Sequence, residues 1–135
     1  MATQLPEIFI QRALVTHLRA QGFQVREEVL FGSSRLDAVA YNGEKIVGFE
    51  VKLSSWARAL EQTRIYKLCC DEVYLAVPMR SLTIGLGQRC LSAHVGLVAI
   101  GPPPSWDYRN VIWAPSLSLP NPLHRASIER IAAFT

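Results

Sequence analysis

The sequence predicts a mixed α/β fold, a sheet flanked by helices. Three observations carry this expectation. An Asn42-Gly43 hairpin signal sits between two apolar, strand-like runs. Residues 45 to 100 then repeat a β-α-β-α-β rhythm. The 135 residues, half of them apolar and 19% charged, suit one domain with its own core rather than a disordered chain.

In chain order, residues 6 to 21 read as a helix. Pro6 suits a first helical turn and Glu7 complements the positive end of the helix dipole. Ile8, Ala13-Leu14-Val15 and Leu18 keep helical spacing, and Gly22 is the stop. Residues 23 to 31 alternate loosely as a strand. Glu27 and Glu28 fall there, as a solvated strand edge or as a contribution to a site. Gly32-Ser33-Ser34 turns the chain into the hairpin. Ser54-Ser55 caps a helix from Trp56 to Cys70, striped by Trp56, Leu60, Thr63 and Tyr66 or Lys67. Residues 72 to 77 return as a strand, and a right-handed crossover makes it parallel to the strand ending at Lys52. A helix over 80 to 93, despite Gly85 and Gly87, and an apolar strand from His94 to Ile100 complete the rhythm. Gly101-Pro102-Pro103-Pro104 ends it. Residues 105 to 121 read as irregular, with an edge strand from Val111 to Ala114. Trp106, Tyr108 and Trp113 there strap the core or stack on bases. An amphipathic helix over 122 to 133 closes the chain.

The hairpin carries the chemistry. A two-residue Asn42-Gly43 loop sets Tyr41 opposite Glu44, Val39 opposite Ile46, Asp37 opposite Gly48 and Arg35 opposite Glu50. Opposed residues share a face, so Arg35, Asp37, Gly48, Glu50 and Lys52 point to one side. Asp37 and Glu50 become diagonal neighbours, roughly 7 Å apart at the backbone. Two crowded carboxylates repel unless positive charge lies between them. A hard cation answers that need, because Mg²⁺ takes one or two carboxylates, several waters and phosphate oxygens. Gly48 leaves room for the ion, and the Val51 carbonyl offers a further oxygen. Lys52, one pleat beyond Glu50, is placed to orient a water or stabilise charge on a phosphate.

Asp37 followed by Glu50-Val51-Lys52 resembles the PD-(D/E)XK nucleases of restriction-endonuclease-like fold. Gln62 and Tyr66, four apart on the next helix, are similar to the Gln-x-x-x-Tyr of many relatives. The Arg19-Ala20-Gln21-Gly22-Phe23-Gln24-Val25 segment is like the opening of archaeal Holliday-junction resolvases. Leu36 stands where the family name has Pro, and Gln11 stands near the place of a metal-site Glu in resolvase-like relatives, with Glu7 one turn earlier. The resemblance implies an αβββαβ core, here with an extra C-terminal helix. It implies Mg²⁺ or Mn²⁺ held by Asp37 and Glu50, catalysis by Asp37, Glu50, Lys52 and Gln62, and DNA as substrate. Gln62 holds a water or a phosphate, or neither. Tyr66 packs in the core or bonds near the site. Glu7 and Glu28 are candidate accessory acids. Arg35, Arg58, Arg64 and Tyr66 are candidate nucleic-acid contacts, Arg58 and Arg64 equally well a solvated helix face.

Charge and composition narrow the classes. A formal charge of +3 and a pI of about 9.0 permit nucleic-acid binding. Three cysteines without a C-x-x-C pair support neither a disulfide framework nor a structural zinc site. His17, His94 and His124 have no ligand spacing. No opening signal peptide and no membrane-length apolar run are evident, so a cytoplasmic protein is expected. The expected function is metal-dependent hydrolysis of phosphodiester bonds in nucleic acid, by a homodimer or with a partner subunit. The rivals are a non-cleaving nucleic-acid-binding module and an interaction subunit of a recombination or defence assembly.

Overall fold

The computed structural model describes residues 6–31 and 33–115. The helix expected over 122 to 133 lies outside them. The described chain forms α1 (Glu7–Ala20), β1 (Gln24–Phe31), β2 (Ser34–Tyr41), β3 (Ile46–Val51), α2 (Trp56–Tyr66), β4 (Glu72–Pro78), α3 (Ile84–Ala93), β5 (Gly96–Ile100) and β6 (Tyr108–Ile112). A 3-10 turn, Met79–Ser81, precedes α3. This is a mixed α/β architecture. One six-stranded sheet has its strands side by side in chain order. β1, β2 and β3 pair antiparallel, β3, β4 and β5 parallel, and β6 returns antiparallel.

Helices cover both sides of the sheet. α1 places Ile10, Leu14, Val15 and Leu18 on Ala38, Ala40, Val47, Phe49, Val51, Tyr74 and Ala76. α2 and α3 place Ala59, Leu60, Tyr66, Leu86 and Cys90 on the other side, against Val39, Ile46, Val73, Leu75, Val77 and Leu97. β4 is buried along its whole length, as befits a parallel strand covered on both sides, which therefore reads as continuous rather than alternating hydrophobicity.

Element ends follow local backbone chemistry. Pro6 stands in extended conformation before α1, and Gly22 at φ 94 turns the chain out of it. α2 ends at Tyr66 rather than Cys70, because the Leu68 and Cys69 amides tighten onto the carbonyls of Ile65 and Tyr66. Ser55 occupies the start of α2 in left-handed conformation and its side chain caps nothing, against the expectation of a Ser cap. α3 begins at Ile84, not residue 80, where Thr83 accepts the Leu86 amide at 3.0 Å. His94 takes the left-handed C-cap of α3, so β5 starts at Gly96. The edge strand expected over Val111 to Ala114 lies earlier, over Tyr108–Ile112.

The β2–β3 hairpin corrects the expected register by two residues. Tyr41 opposes Ile46, Ala40 opposes Val47 and Val39 opposes Gly48. Asn42 is the reason. Its side-chain oxygen accepts the amides of Glu44 at 3.0 Å and Lys45 at 2.8 Å. Those amides turn inward on the loop, and the ladder closes one pair farther from the tip.

Candidate functional site

The hairpin and α2 meet around two acids. Continuing the β2–β3 register by one pair beyond Ala38↔Phe49 aligns Asp37 with Glu50, where Gly48 had been expected. The Asp37 carboxylate does not stand free on the sheet. It accepts the Val51 amide at 2.7 Å. The next amide, Lys52, points the other way, to the Ala76 carbonyl of β4 at 3.0 Å. Asp37 therefore anchors the end of the β2–β3 seam by its side chain.

Glu50 is 5% exposed and lies on the α2 side of the sheet. Burial pushes its pKa up to about 8, helped by a hydrogen bond and like-charge repulsion from Asp37. The Tyr66 hydroxyl and the positive charge of Lys52 pull in the opposite direction. In the absence of a cation the acid pair thus holds one proton at neutral pH. Tyr66 is 1% exposed, and its hydroxyl oxygen lies 2.7 Å from Glu50 Oε2 and 2.8 Å from the Arg35 carbonyl oxygen. Its pKa is raised, first by burial and then by Glu50. A phenol has one proton to donate and a carbonyl only accepts. With Glu50 protonated, its one proton serves the hydrogen bond to Asp37, and the Tyr66 proton is shared between Glu50 Oε2 and the Arg35 carbonyl oxygen. With Glu50 ionised, the phenol proton moves toward Glu50, and the Arg35 carbonyl loses its share of that donor.

The remaining expected site residues divide by position. Lys52 follows Glu50 on the chain, half-buried, and among the described residues it forms no ion pair. Val51 takes part through its N–H. Gln62 sits one turn before Tyr66 on α2, half-buried and without a side-chain hydrogen bond among the described residues. Arg35 does not share a face with the acids as expected. Its exposed guanidinium pairs with Glu28 at 2.9 Å, and only its carbonyl reaches the site. Arg58 and Arg64 lie on the exposed side of α2, Arg64 paired with Glu61 at 3.0 Å. Glu7 is exposed on the first turn of α1. Gln11 is buried and donates to Glu27 at 3.1 Å. Among the described residues, no group of three or more His, Cys, Asp or Glu is arranged to hold a metal.

The role expected for Gly48 is also corrected. A methyl group there would meet Leu36 Cδ2 and Cys70 Sγ, each at 2.8 Å. The space beside Gly48 is filled by packing and is not a berth for an ion. Sequence reasoning missed the Val51 amide and the Arg35 carbonyl, since backbone groups leave no mark in residue identity. The Tyr66 contact did have a signal, its four-residue spacing from Gln62.

No family model matches the chain, and no curated protein does. Solved structures do match. A protein of unknown function from Silicibacter pomeroyi superposes with a TM-score of 0.73 at 26% identity, over 96% of this chain and 84% of that one. A second protein of unknown function gives a TM-score of 0.52 at 13% identity, over 67% of this chain and 56% of the other, a likeness of fold alone. SfsA of Pyrococcus furiosus, solved in complex with Ca²⁺, gives a TM-score of 0.42 at 14% identity, over 84% of this chain and 62% of that one. Among the described residues, no helix is long and apolar enough to cross a membrane.

Proposed function

We propose that the chain is a metal-dependent nuclease of the PD-(D/E)XK type, hydrolysing phosphodiester bonds in DNA. The observation that carries this reading is the convergence of Asp37 on β2 with Glu50 on β3, with Lys52 two residues on. The element order αβββαβ, with the first acid on the second strand, Glu50 near the end of the third and Lys52 just past it, supports it. The donor set suits a hard divalent cation such as Mg²⁺ or Mn²⁺. It is all oxygen, it is two carboxylates strong, and without a cation its repulsion is relieved by a proton. Such an ion, when bound, draws electron density from a phosphoryl oxygen and acidifies water.

The chain's own groups do the rest. The Val51 amide fixes the Asp37 carboxylate. Tyr66 fixes Glu50, and its proton follows the charge there. Lys52 brings positive charge to a phosphate whose negative charge grows in the transition state. The test is nicking of supercoiled plasmid with Mg²⁺ or Mn²⁺, beside Asp37→Ala and Lys52→Ala. Nicking by the wild type, lost in both variants, is the expected result. Three equally silent proteins that still bind DNA would leave a binding module instead.

A further inference from the structure

The ladder between β1 and β2 keeps one register along its length. Val25↔Ala40, Arg26↔Val39 and Glu27↔Ala38 lie on one side of a gap, and Val29↔Leu36 and Leu30↔Arg35 on the other. The skipped pair is Glu28 with Asp37. Glu28 stands at φ 56, in the left-handed region that a residue with a side chain seldom adopts within a strand. Both strands change face there. Val25 packs on the α1 side, and Val29, four residues on, lies in the layer of α2 and α3. Leu36 lies in that same layer, and Ala38, two residues on, lies on the α1 side. Regular strands keep residues two and four apart on one face. The interruption therefore rotates both strands at the position that carries the first acid of the pair.

We propose that Glu28 is a positioning residue acting through its backbone: its left-handed conformation opens the β1–β2 ladder opposite Asp37 and leaves Asp37 free to turn its carboxylate onto the Val51 amide beside Glu50. The Glu28 carboxylate is not a ligand in this account. It faces solvent and pairs with the exposed Arg35 guanidinium. The proposal rests on the acid pair being the working site, and its test separates the two. The first readout is amide exchange in metal-free buffer. The Val51 amide, bonded to Asp37, reports the device, and the Lys52 amide, bonded to Ala76, is the internal control.

Glycine takes the left-handed conformation freely, and a β-branched residue resists it. Glu28→Gly is expected to keep Val51 exchange within about twofold of wild type, whereas Glu28→Val raises it about tenfold or more and leaves Lys52 unchanged. Mn²⁺ titration of the same proteins is expected to follow, with affinity kept in Glu28→Gly and lost by about tenfold in Glu28→Val. Should Glu28→Val not fold, Glu28→Ala takes its place under the same criteria. The inference is overturned if Val51 exchange is the same in all three proteins, if it rises in Glu28→Gly, or if Val51 and Lys52 lose protection together. A wild type that binds no Mn²⁺ removes the metal reading and leaves the exchange test standing.

Discussion

Glu50 concentrates the chemistry of this molecule in one buried carboxyl. Its folded-state pKa of about 8 stands above the ordinary value of 4.5, so the folded chain keeps a proton that the unfolded chain releases. Stability from this group is complete below the unfolded pKa and is lost as pH rises through the folded one. His17 has a lowered pKa, from burial, and acts in the opposite sense below its ordinary value of 6.5. Between pH 6.5 and 8, in buffer with chelator, stability is therefore expected to fall for the wild type and to fall less for Glu50→Gln. Urea denaturation at a series of pH values measures this. Tyr66→Phe removes the phenol that serves both Glu50 and the Arg35 carbonyl. Losing buried hydrogen bonds of this kind costs about 1–3 kcal/mol. The Glu50 titration, followed by carboxyl NMR, is expected to move upward, because the Tyr66 hydroxyl holds that pKa down.

At the level of the element, β3 is fitted to its neighbours by the absence of a side chain. Gly48→Ala sets a methyl 2.8 Å from both Leu36 Cδ2 and Cys70 Sγ. Overpacking of this kind costs about 1–3 kcal/mol. Cys70→Ala in the same chain is expected to recover part of the loss, since it removes one of the two clashing atoms, and a double-mutant cycle by denaturant unfolding checks this. α3 depends on a single side-chain cap, the Thr83 hydroxyl on the Leu86 amide. Thr83→Ala is expected to lower stability by about 1 kcal/mol in the same assay.

The whole molecule depends on the two apolar layers that share β4. Leu75, fully buried at the centre of that strand, packs in the layer under α2 and α3. Leu75→Ala leaves a cavity there and is expected to cost about 2–5 kcal/mol. Against a total stability of about 5–15 kcal/mol for a domain, that brings the protein close to unfolding. A lowered thermal midpoint, with the helical signal lost in one transition, is the expected outcome by circular dichroism.

Much of the architecture was legible in local pattern. The α1 stripe of Ile10, Leu14 and Leu18, the Asn42-Gly43 turn and the parallel return of β4 follow from periodicity and turn chemistry, which need no distant partner. The pairing of two acids on neighbouring strands was legible for the same reason, because a hairpin is a local object. Its register was not. The Asn42 side chain captured two amides and moved the closing pair to Tyr41 and Ile46.

The sequence by itself marked the segments that become the described strands and helices, short of their ends, and placed Asp37 and Glu50 on adjoining strands, with Lys52 just beyond, near a helix carrying Tyr66. Only the tertiary structure decided that Leu36 and Cys70 fill the space at Gly48, that Arg35 offers its carbonyl rather than its charge, and that the strands turn over at Glu28 and Asp37. The physical reason is one of range. Alternation along a strand is set by neighbouring residues, whereas the face a residue finally presents is set by the layers packed above and below it and by the backbone groups left to bond.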